Sequence, residues 1–268
     1  MRIIRFEDKA GKVQYGRVTS SDTHDTAETL SGDLFTGLTP TGTTAAVARL
    51  LPPVAPTNIL CIGLNYRRHA IESNMVIPER PVLFIKPTST VIGSSDAITL
   101  PADSDEVDYE CELAVVIGKT ARNVSEDDAL DYVLGYTVAN DVSARDWQLR
   151  LDRQWAKGKS FDTFCPLGPV LLTADELPDP NALAIATRIN GETLQSSNTV
   201  DMIFSVRHII SYLSHGITLL PGTVLLTGTP EGVGQGRTPP RWLQSGDTVE
   251  IEIENIGILT NRVEASAK

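Results

Sequence analysis

The sequence predicts an α+β fold that is mainly β and built around mixed sheet. Short apolar or alternating segments, punctuated by glycine and proline, recur along most of the chain, which is the signature of strands. Helical periodicity is confined to a few segments. Strands and helices do not alternate regularly, which argues against a doubly wound parallel sheet. A chain of 268 residues can bury a sizeable core without disulfides or metals, as one large domain or one with a small appendage.

Residues 1–50 read as short strands separated by turns. Strands at 2–6 and 13–19 flank Asp8-Lys-Ala-Gly11, and a Thr/Gly-rich stretch follows at 37–42. Leu51-Pro-Pro-Val-Ala-Pro56 reads as a linker, because proline fixes its own φ and disfavours helix in the residue before it. Beyond it strands predominate, at 59–63, 82–86, 111–117, 134–142, 170–172, 184–189, 223–227 and 248–253. One helix is expected over 66–73. A second should begin at Ser125, where Ser125-Glu-Asp-Asp128 resembles a capping box, and run through Ala129-Leu-Asp-Tyr-Val. A third, over 202–214, places Ile203, Val206, Ile209, Ile210 and Leu213 on one face, with Gly216 as its C-terminal cap.

Charge and motifs exclude several function classes. With 23 basic and 34 acidic residues the formal charge is −11, which argues against nucleic acid and anionic membranes, since both are bound through Lys and Arg. The N-terminus turns charged at once, and no apolar run approaches the roughly 18 residues that span a bilayer. A soluble, cytoplasmic protein is expected. Cys61, Cys111 and Cys165 form no C-x-x-C pair and lie among apolar residues, so they read as buried, inert thiols. Nucleophile-elbow, P-loop and H-E-x-x-H motifs are absent. Gly228-Thr-Pro-Glu-Gly-Val-Gly-Gln-Gly236 is glycine-rich but does not fit G-x-G-x-x-G. His24, His208 and His215 read as structural or solvent-facing.

The densest acidic stretch is Asp103-Ser-Asp-Glu-Val-Asp-Tyr-Glu-Cys-Glu112. Asp103, Asp105 and Glu106 read as a solvated loop. Glu110 and Glu112 differ, because they lead directly into Leu113-Ala-Val-Val-Ile117, an apolar strand. Residues i and i+2 of a strand share a face about 6.5–7 Å apart, so both carboxylates point one way and Cys111, Leu113, Val115 and Ile117 the other. Two such carboxylates raise each other's pKa unless a cation lies between them. All-oxygen ligation of that kind selects Mg2+, Mn2+ or Ca2+ over zinc. Asp141, closing the apolar run Gly135-Tyr-Thr-Val-Ala-Asn-Asp141, is the candidate third ligand. The alternative is a set of edge carboxylates paired with Arg or Lys.

His69 and Glu72 share a helical face at i, i+3, where a carboxylate either orients an imidazole as general base or forms an ordinary surface pair. Lys159 precedes an aromatic segment in which a lone ammonium needs an anion, and either Lys157 or Lys159 could be the exposed one.

Five motifs in this order resemble the fumarylacetoacetate hydrolase family from about residue 59 to 263. They are Gly63-Leu-Asn-Tyr-x-x-His69-x-x-Glu72, Asp108-Tyr-Glu-Cys-Glu112-Leu, Asn140-Asp-Val-Ser-Ala-Arg145-Asp-Trp-Gln148, Lys159-Ser-Phe-Asp-Thr-Phe-Cys-Pro-Leu-Gly168-Pro and Leu226-Thr-Gly-Thr229-Pro-Glu-Gly-Val-Gly234. The resemblance implies a mixed β-roll like that family's C-terminal domain over 58–264, preceded by a small β-rich region over 1–52. It also implies a homodimer, with Mg2+ or Mn2+ held by Glu110, Glu112 and Asp141. His69, Glu72 and Lys159 would be catalytic, the first two on a mobile segment that orders over substrate. Arg145, Gln148, Lys159 and Thr229 would contact the substrate.

Residues 1–50 resemble the variable N-terminal region of some members, and the chain, shorter than fumarylacetoacetase proper, is more similar to the acylpyruvase, oxaloacetate decarboxylase and hydroxyheptadienedioate isomerase branch. The implied substrate is a small anionic 2-oxo acid, whose enolate is common to three outcomes. These are C–C hydrolysis of an acylpyruvate or fumarylpyruvate, decarboxylation of oxaloacetate, and isomerisation of a dienedioate. A non-catalytic metabolite-binding protein is the alternative of another class.

Overall fold

Alternating and continuous apolar segments pair into two main sheets in a computed structural model that describes residues 1–19, 25–152 and 154–266. His24 lies outside the described residues. The chain opens with β1 (Arg2–Asp8), β2 (Val13–Val18), β3 (Thr26–Asp33) and β4 (Gly37–Leu51). Then come β5 (Asn58–Gly63), α1 (Arg67–Glu72), β6 (Val82–Lys86), β7 (Val91–Ile92), β8 (Ala97–Leu100) and β9 (Val107–Asp108). The site-bearing strands are β10 (Cys111–Ile117) and β11 (Val133–Asn140), followed by β12 (Ser143–Ala144), α2 (Trp155–Gly158) and β13 (Cys165–Thr173). The chain closes with β14 (Ala184–Ile189), β15 (Glu192–Asn198), α3 (Val206–Ser214), β16 (Thr223–Leu226), β17 (Thr248–Ile253) and β18 (Gly257–Ala265).

The larger sheet runs β2-β3-β4-β1-β13-β11-β10-β16-β5-β6, and the smaller β15-β14-β17-β18-β8. Both are mixed: β16 pairs with β5, and β18 with β8, in parallel, while their other neighbours are antiparallel. The expected α+β, mainly β class is what the chain adopts. The N-terminal strands join the larger sheet through Arg2↔Leu172 and Ile3↔Leu171.

β10 explains why the middle of the sheet is stable. All seven of its residues are buried. Cys111, Leu113, Val115 and Ile117 pack in one core cluster with Ile185, Val249, Ile251 and Ile253 of the smaller sheet. Ala114 and Val116 face a second cluster with Leu167, Leu171 and Val224. A strand covered on both faces needs no polar alternation, which is why it reads as a continuous apolar run.

Three expectations are corrected. The second helix is only a short 3-10 turn, Ala129–Tyr132, although Asp128 N–H does donate to Ser125 Oγ at 3.2 Å. The third helix begins at Val206, because Ser205 Oγ caps it by accepting from His208 N–H, so Ile203 stays outside. The short strands expected over 1–50 include one of 15 residues, β4, which takes in the Thr/Gly-rich stretch at 37–42 through its pairing with β3. Gly216, with φ +105°, follows α3 in the left-handed conformation expected of a cap.

All three cysteines are unpaired and buried. Burial pushes the Cys111 and Cys165 thiols up to about 12 and that of Cys61 well above its usual range. Because the thiolate is the reactive form, none should react with a disulfide reagent at pH 8 in the native protein. All three should react in denaturant; rapid native labelling at pH 8 would contradict the buried assignment.

Candidate functional site

The acidic cluster follows from strand register. β10 and β11 are antiparallel with Cys111 opposite Asn140, so Glu110, just before β10, meets Asp141, just after β11. Asp141 N–H donates to Glu110 O at 2.9 Å, and Glu110 N–H donates to Asn140 Oδ1 at 3.0 Å. Alternation along β10 then turns Glu112 to the same side. Carboxylate oxygens of Glu110, Glu112 and Asp141 all lie within 4.8 Å of one another, and all three residues are buried.

Cations surround this cluster unevenly. Lys159 Nζ lies 2.7 Å from both Glu110 Oε2 and Asp141 Oδ2. Lys86 Nζ reaches Asp141 Oδ1 at 2.5 Å and Val142 O at 3.2 Å. Arg145 donates through Nε to Asp108 Oδ2 at 2.8 Å and through Nη1 to Gln148 Oε1 at 2.9 Å. Its Nη2 sits 2.7 Å from Glu110 Oε1, an ion-pair contact without hydrogen-bond alignment. Burial works to raise the Glu110 carboxyl, but Lys159 and Arg145 outweigh it and hold the group at about 2. Lys159 is itself raised, since Asp141 and Glu110 overcome the opposing effect of burial.

Glu112 differs from its neighbours. Among the described residues it makes no ion pair, and Gly228 N–H donates to its Oε2 at 2.7 Å. Burial, reinforced by Asp141 and Glu110, raises its carboxyl well above the usual range. Three hard oxygen donors within reach of one point, one of them without a cationic partner, fit a hard divalent cation.

His69 and Glu72 face the same cavity from α1. His69 Nδ1 lies 3.1 Å from Glu72 Oε2, and Glu72 Oε1 accepts from Gly232 N–H at 2.9 Å. This short helix is fastened by side chains rather than by its own length. Arg67 Nη1 donates to Asp201 O and Met202 O, and Asn65 bonds Phe204 and Thr227. The cavity measures about 380 Å³. Its wall includes all nine residues singled out from the sequence: His69, Glu72, Glu110, Glu112, Asp141, Arg145, Gln148, Lys159 and Thr229. Phe84, Trp155 and Val233 add an apolar flank. Lys159 is the buried lysine and Lys157 the exposed one, its ammonium lying over the rings of Trp147 and Phe161.

A model of the family described as "Fumarylacetoacetate (FAA) hydrolase C-terminal" matches residues 58–264. The chain belongs to this family. A second family model, "Rv2993c-like, N-terminal", matches residues 1–53. The chain is 50% identical over 217 residues to oxaloacetate tautomerase Fahd2a, mitochondrial, of Rattus norvegicus, covering 81% of this chain and 69% of that protein. The crystal structure of 2-hydroxyhepta-2,4-diene-1,7-dioate isomerase from Mycobacterium marinum matches with a TM-score of 0.88 and 39% identity, over 100% of both chains. Fumarylpyruvate hydrolase from Pseudomonas aeruginosa, in complex with Mn2+ and pyruvate, matches with a TM-score of 0.73 and 32% identity, over 82% of this chain and 93% of that one.

Beside these fumarylacetoacetate hydrolase family motifs stand residues that sequence reasoning missed. Lys86 ends the apolar strand Val-Leu-Phe-Ile-Lys86, and a charge closing such a run was the available signal. Asp108 continues the i, i+2 series with Glu110 and Glu112, yet it faces Arg145 and the amides of Gly234 and Gln235. Asp141 is the shared partner of two buried lysines. Asp141→Asn should therefore lower the unfolding free energy by about 3–5 kcal/mol, the cost of breaking a buried pair from one side. Urea denaturation measures it, and a loss under about 1 kcal/mol would show that the lysines are otherwise compensated.

Proposed function

We propose that this member of the family is a divalent-metal-dependent enzyme acting on a small anionic 2-oxo acid such as oxaloacetate. In this reading it moves a proton at the carbon next to the 2-oxo group. The observation that carries the proposal is the meeting, on one cavity, of a buried oxygen-donor triad and an imidazole oriented by a carboxylate. The likeness to oxaloacetate tautomerases supports the choice of substrate.

Glu110, Glu112 and Asp141 would hold a Mg2+ or Mn2+ ion, which when bound would supply Lewis-acid withdrawal of charge from a 2-oxo group and so weaken the adjacent C–H or C–C bond. With Glu72 Oε2 accepting from His69 Nδ1–H, Nε2 is the ring nitrogen left to act as base. His69 Nε2 takes the proton from the substrate carbon, and a proton returned to the 2-oxo oxygen completes the keto-to-enol conversion. Lys159 and Arg145, both held cationic, are already paired with Glu110, Asp141 and Asp108, so the floor would turn locally positive and favour a carboxylate once the divalent ion is bound. Gln148 and Thr229 offer hydrogen bonds from the wall, and the Phe84–Trp155 flank excludes water.

C–C hydrolysis of an acylpyruvate or fumarylpyruvate is the second reading, favoured by the likeness to a fumarylpyruvate hydrolase. There Nε2 takes its proton from a water that attacks the distal carbonyl. Decarboxylation of oxaloacetate and isomerisation of a dienedioate draw on the same withdrawal of charge. In this reading the chemistry belongs to residues 58–264, residues 1–52 stand outside it, and the working form is a cytoplasmic homodimer. Unpaired cysteines support a reducing compartment. Among the described residues no helix is long and apolar enough to cross a membrane.

The test is one panel of oxaloacetate, acetylpyruvate, fumarylpyruvate and hydroxyheptadienedioate, assayed with Mg2+ or Mn2+ and again after EDTA. Metal-restorable turnover of at least one member is expected. Full turnover in excess EDTA, or binding of every member without turnover, would overturn the proposal. His69→Ala should lower kcat about 10²–10⁴-fold, the usual scale for a lost general base, and an unchanged kcat removes His69 from the chemistry. Mn2+ at 100 times its Kd should raise the unfolding free energy by about 2.7 kcal/mol. Glu112→Gln should abolish most of that gain; thermal shift titrations compare the two proteins.

A further inference from the structure

The 228–236 loop reaches three carboxylates with its own backbone. Gly228 N–H meets Glu112 Oε2 at 2.7 Å and Gly232 N–H meets Glu72 Oε1 at 2.9 Å. Gly234 and Gln235 N–H reach Asp108 at 2.7 and 3.1 Å, and Asp108 in turn holds Arg145. One segment thus touches the oxygen-donor triad, the imidazole pair and, through Asp108, the guanidinium.

Gln195, on β15 of the other sheet, bridges this loop and the start of β10. Its side chain is 1% exposed, and both ends of its amide are fully used. Nε2 donates to Thr229 Oγ1 and to Pro230 O, each at 2.9 Å. Oε1 accepts from Cys111 N–H at 3.1 Å and from Thr187 Oγ1 at 2.7 Å. Cys111 is the residue between Glu110 and Glu112. An amide alone among side chains offers two donors and a two-lone-pair acceptor at this length, so each bond on one side fixes the geometry of those on the other.

We infer that Gln195 is a positioning residue that fixes the 228–236 loop against the glutamate-bearing strand and so couples the metal site to Thr229 and the His69–Glu72 pair. The inference rests on the function proposed above for the same site. It predicts that one substitution, touching neither metal nor substrate, moves metal affinity and substrate handling together.

The experiment compares the full-length protein with its Gln195→Leu and Gln195→Asn variants. Leu keeps bulk and removes every bond, whereas Asn keeps the amide one methylene short. Mn2+ binding is titrated by the electron paramagnetic resonance signal of the free ion, and kcat and KM are measured on the best substrate of the panel. Gln195→Leu should weaken Mn2+ binding about 10–100-fold, the range typical of residues that orient metal ligands. KM should rise in both variants. The glycine amide resonances of Gly228, Gly232 and Gly234 should shift together in the metal-free protein.

Should the Leu variant not fold, Thr229→Val, which deletes a single bond of the same amide, should still shift the three glycine resonances. Mn2+ affinity and KM within twofold of wild type, with unmoved glycine amides, would overturn the role of Gln195. Absence of Mn2+ binding by the wild type would sink the proposed function instead, and the glycine resonances would still decide whether Gln195 fixes the loop.

Discussion

Three carboxylates crowded inside a sheet set the terms for the rest of this molecule. With oxygens within 4.8 Å, each ionised pair repels by about 3–4 kcal/mol at an effective dielectric of about 20. The fold meets that repulsion with cations delivered from separate segments: Lys86 at the end of β6, Arg145 after β12 and Lys159 after α2. Backbone amides complete the set where no cation reaches. The arrangement holds only while β10 and β11 keep their register, since a one-residue slip would turn Glu112 into the apolar core. Two buried faces on β10 make that slip costly, so the hydrophobic core is what keeps the acidic cluster assembled.

The same constraint accounts for the glycines of the 228–236 loop. Gly228 and Gly232 adopt φ of +98° and +96°, which aim their N–H groups at carboxylates. A Cβ on Gly234 would lie 2.1 Å from Arg241 O and 2.6 Å from Asp108 Oδ1, so only glycine lets the backbone come this close. The loop does with carboxylates what glycine-rich loops elsewhere do with phosphates: it presents oriented N–H dipoles to an anion. Its failure to match a dinucleotide fingerprint follows from that different task.

Rigidity is distributed unequally around the cavity. The triad stands at the ends of buried central strands, whereas His69 and Glu72 ride on a six-residue helix too short to be stable alone. Residues just after it, Met75, Val76 and Ile77, are exposed at 47%, 90% and 48%. Regions with few buried apolar contacts open at lower free energy than the core. The floor is thus fixed by the core, while the wall that carries His69 and Glu72 is less deeply anchored.

Much of this was legible before folding. Alternation placed Glu110 and Glu112 on one side of a strand, the apolar run ending in Asp141 marked a third acid, and i, i+3 spacing joined His69 to Glu72. These readings needed only the local periods of strand and helix, which depend on neighbouring residues alone. The second helix failed because four capping residues do not sustain a helix without an apolar stripe to bury, and the length of β4 went unread because its continuation comes from pairing with β3. Lys86, Asp108 and Gln195 stayed hidden for a related reason. Their roles are contacts across 55, 37 and 84 residues of sequence, to Asp141, Arg145 and Cys111. The sequence by itself determined the mainly β class and singled out the acidic trio and the imidazole pair. Only the tertiary structure decided which charges balance the trio and which backbone amides hold it, because pairing across distant segments is set by sheet register and not by local pattern.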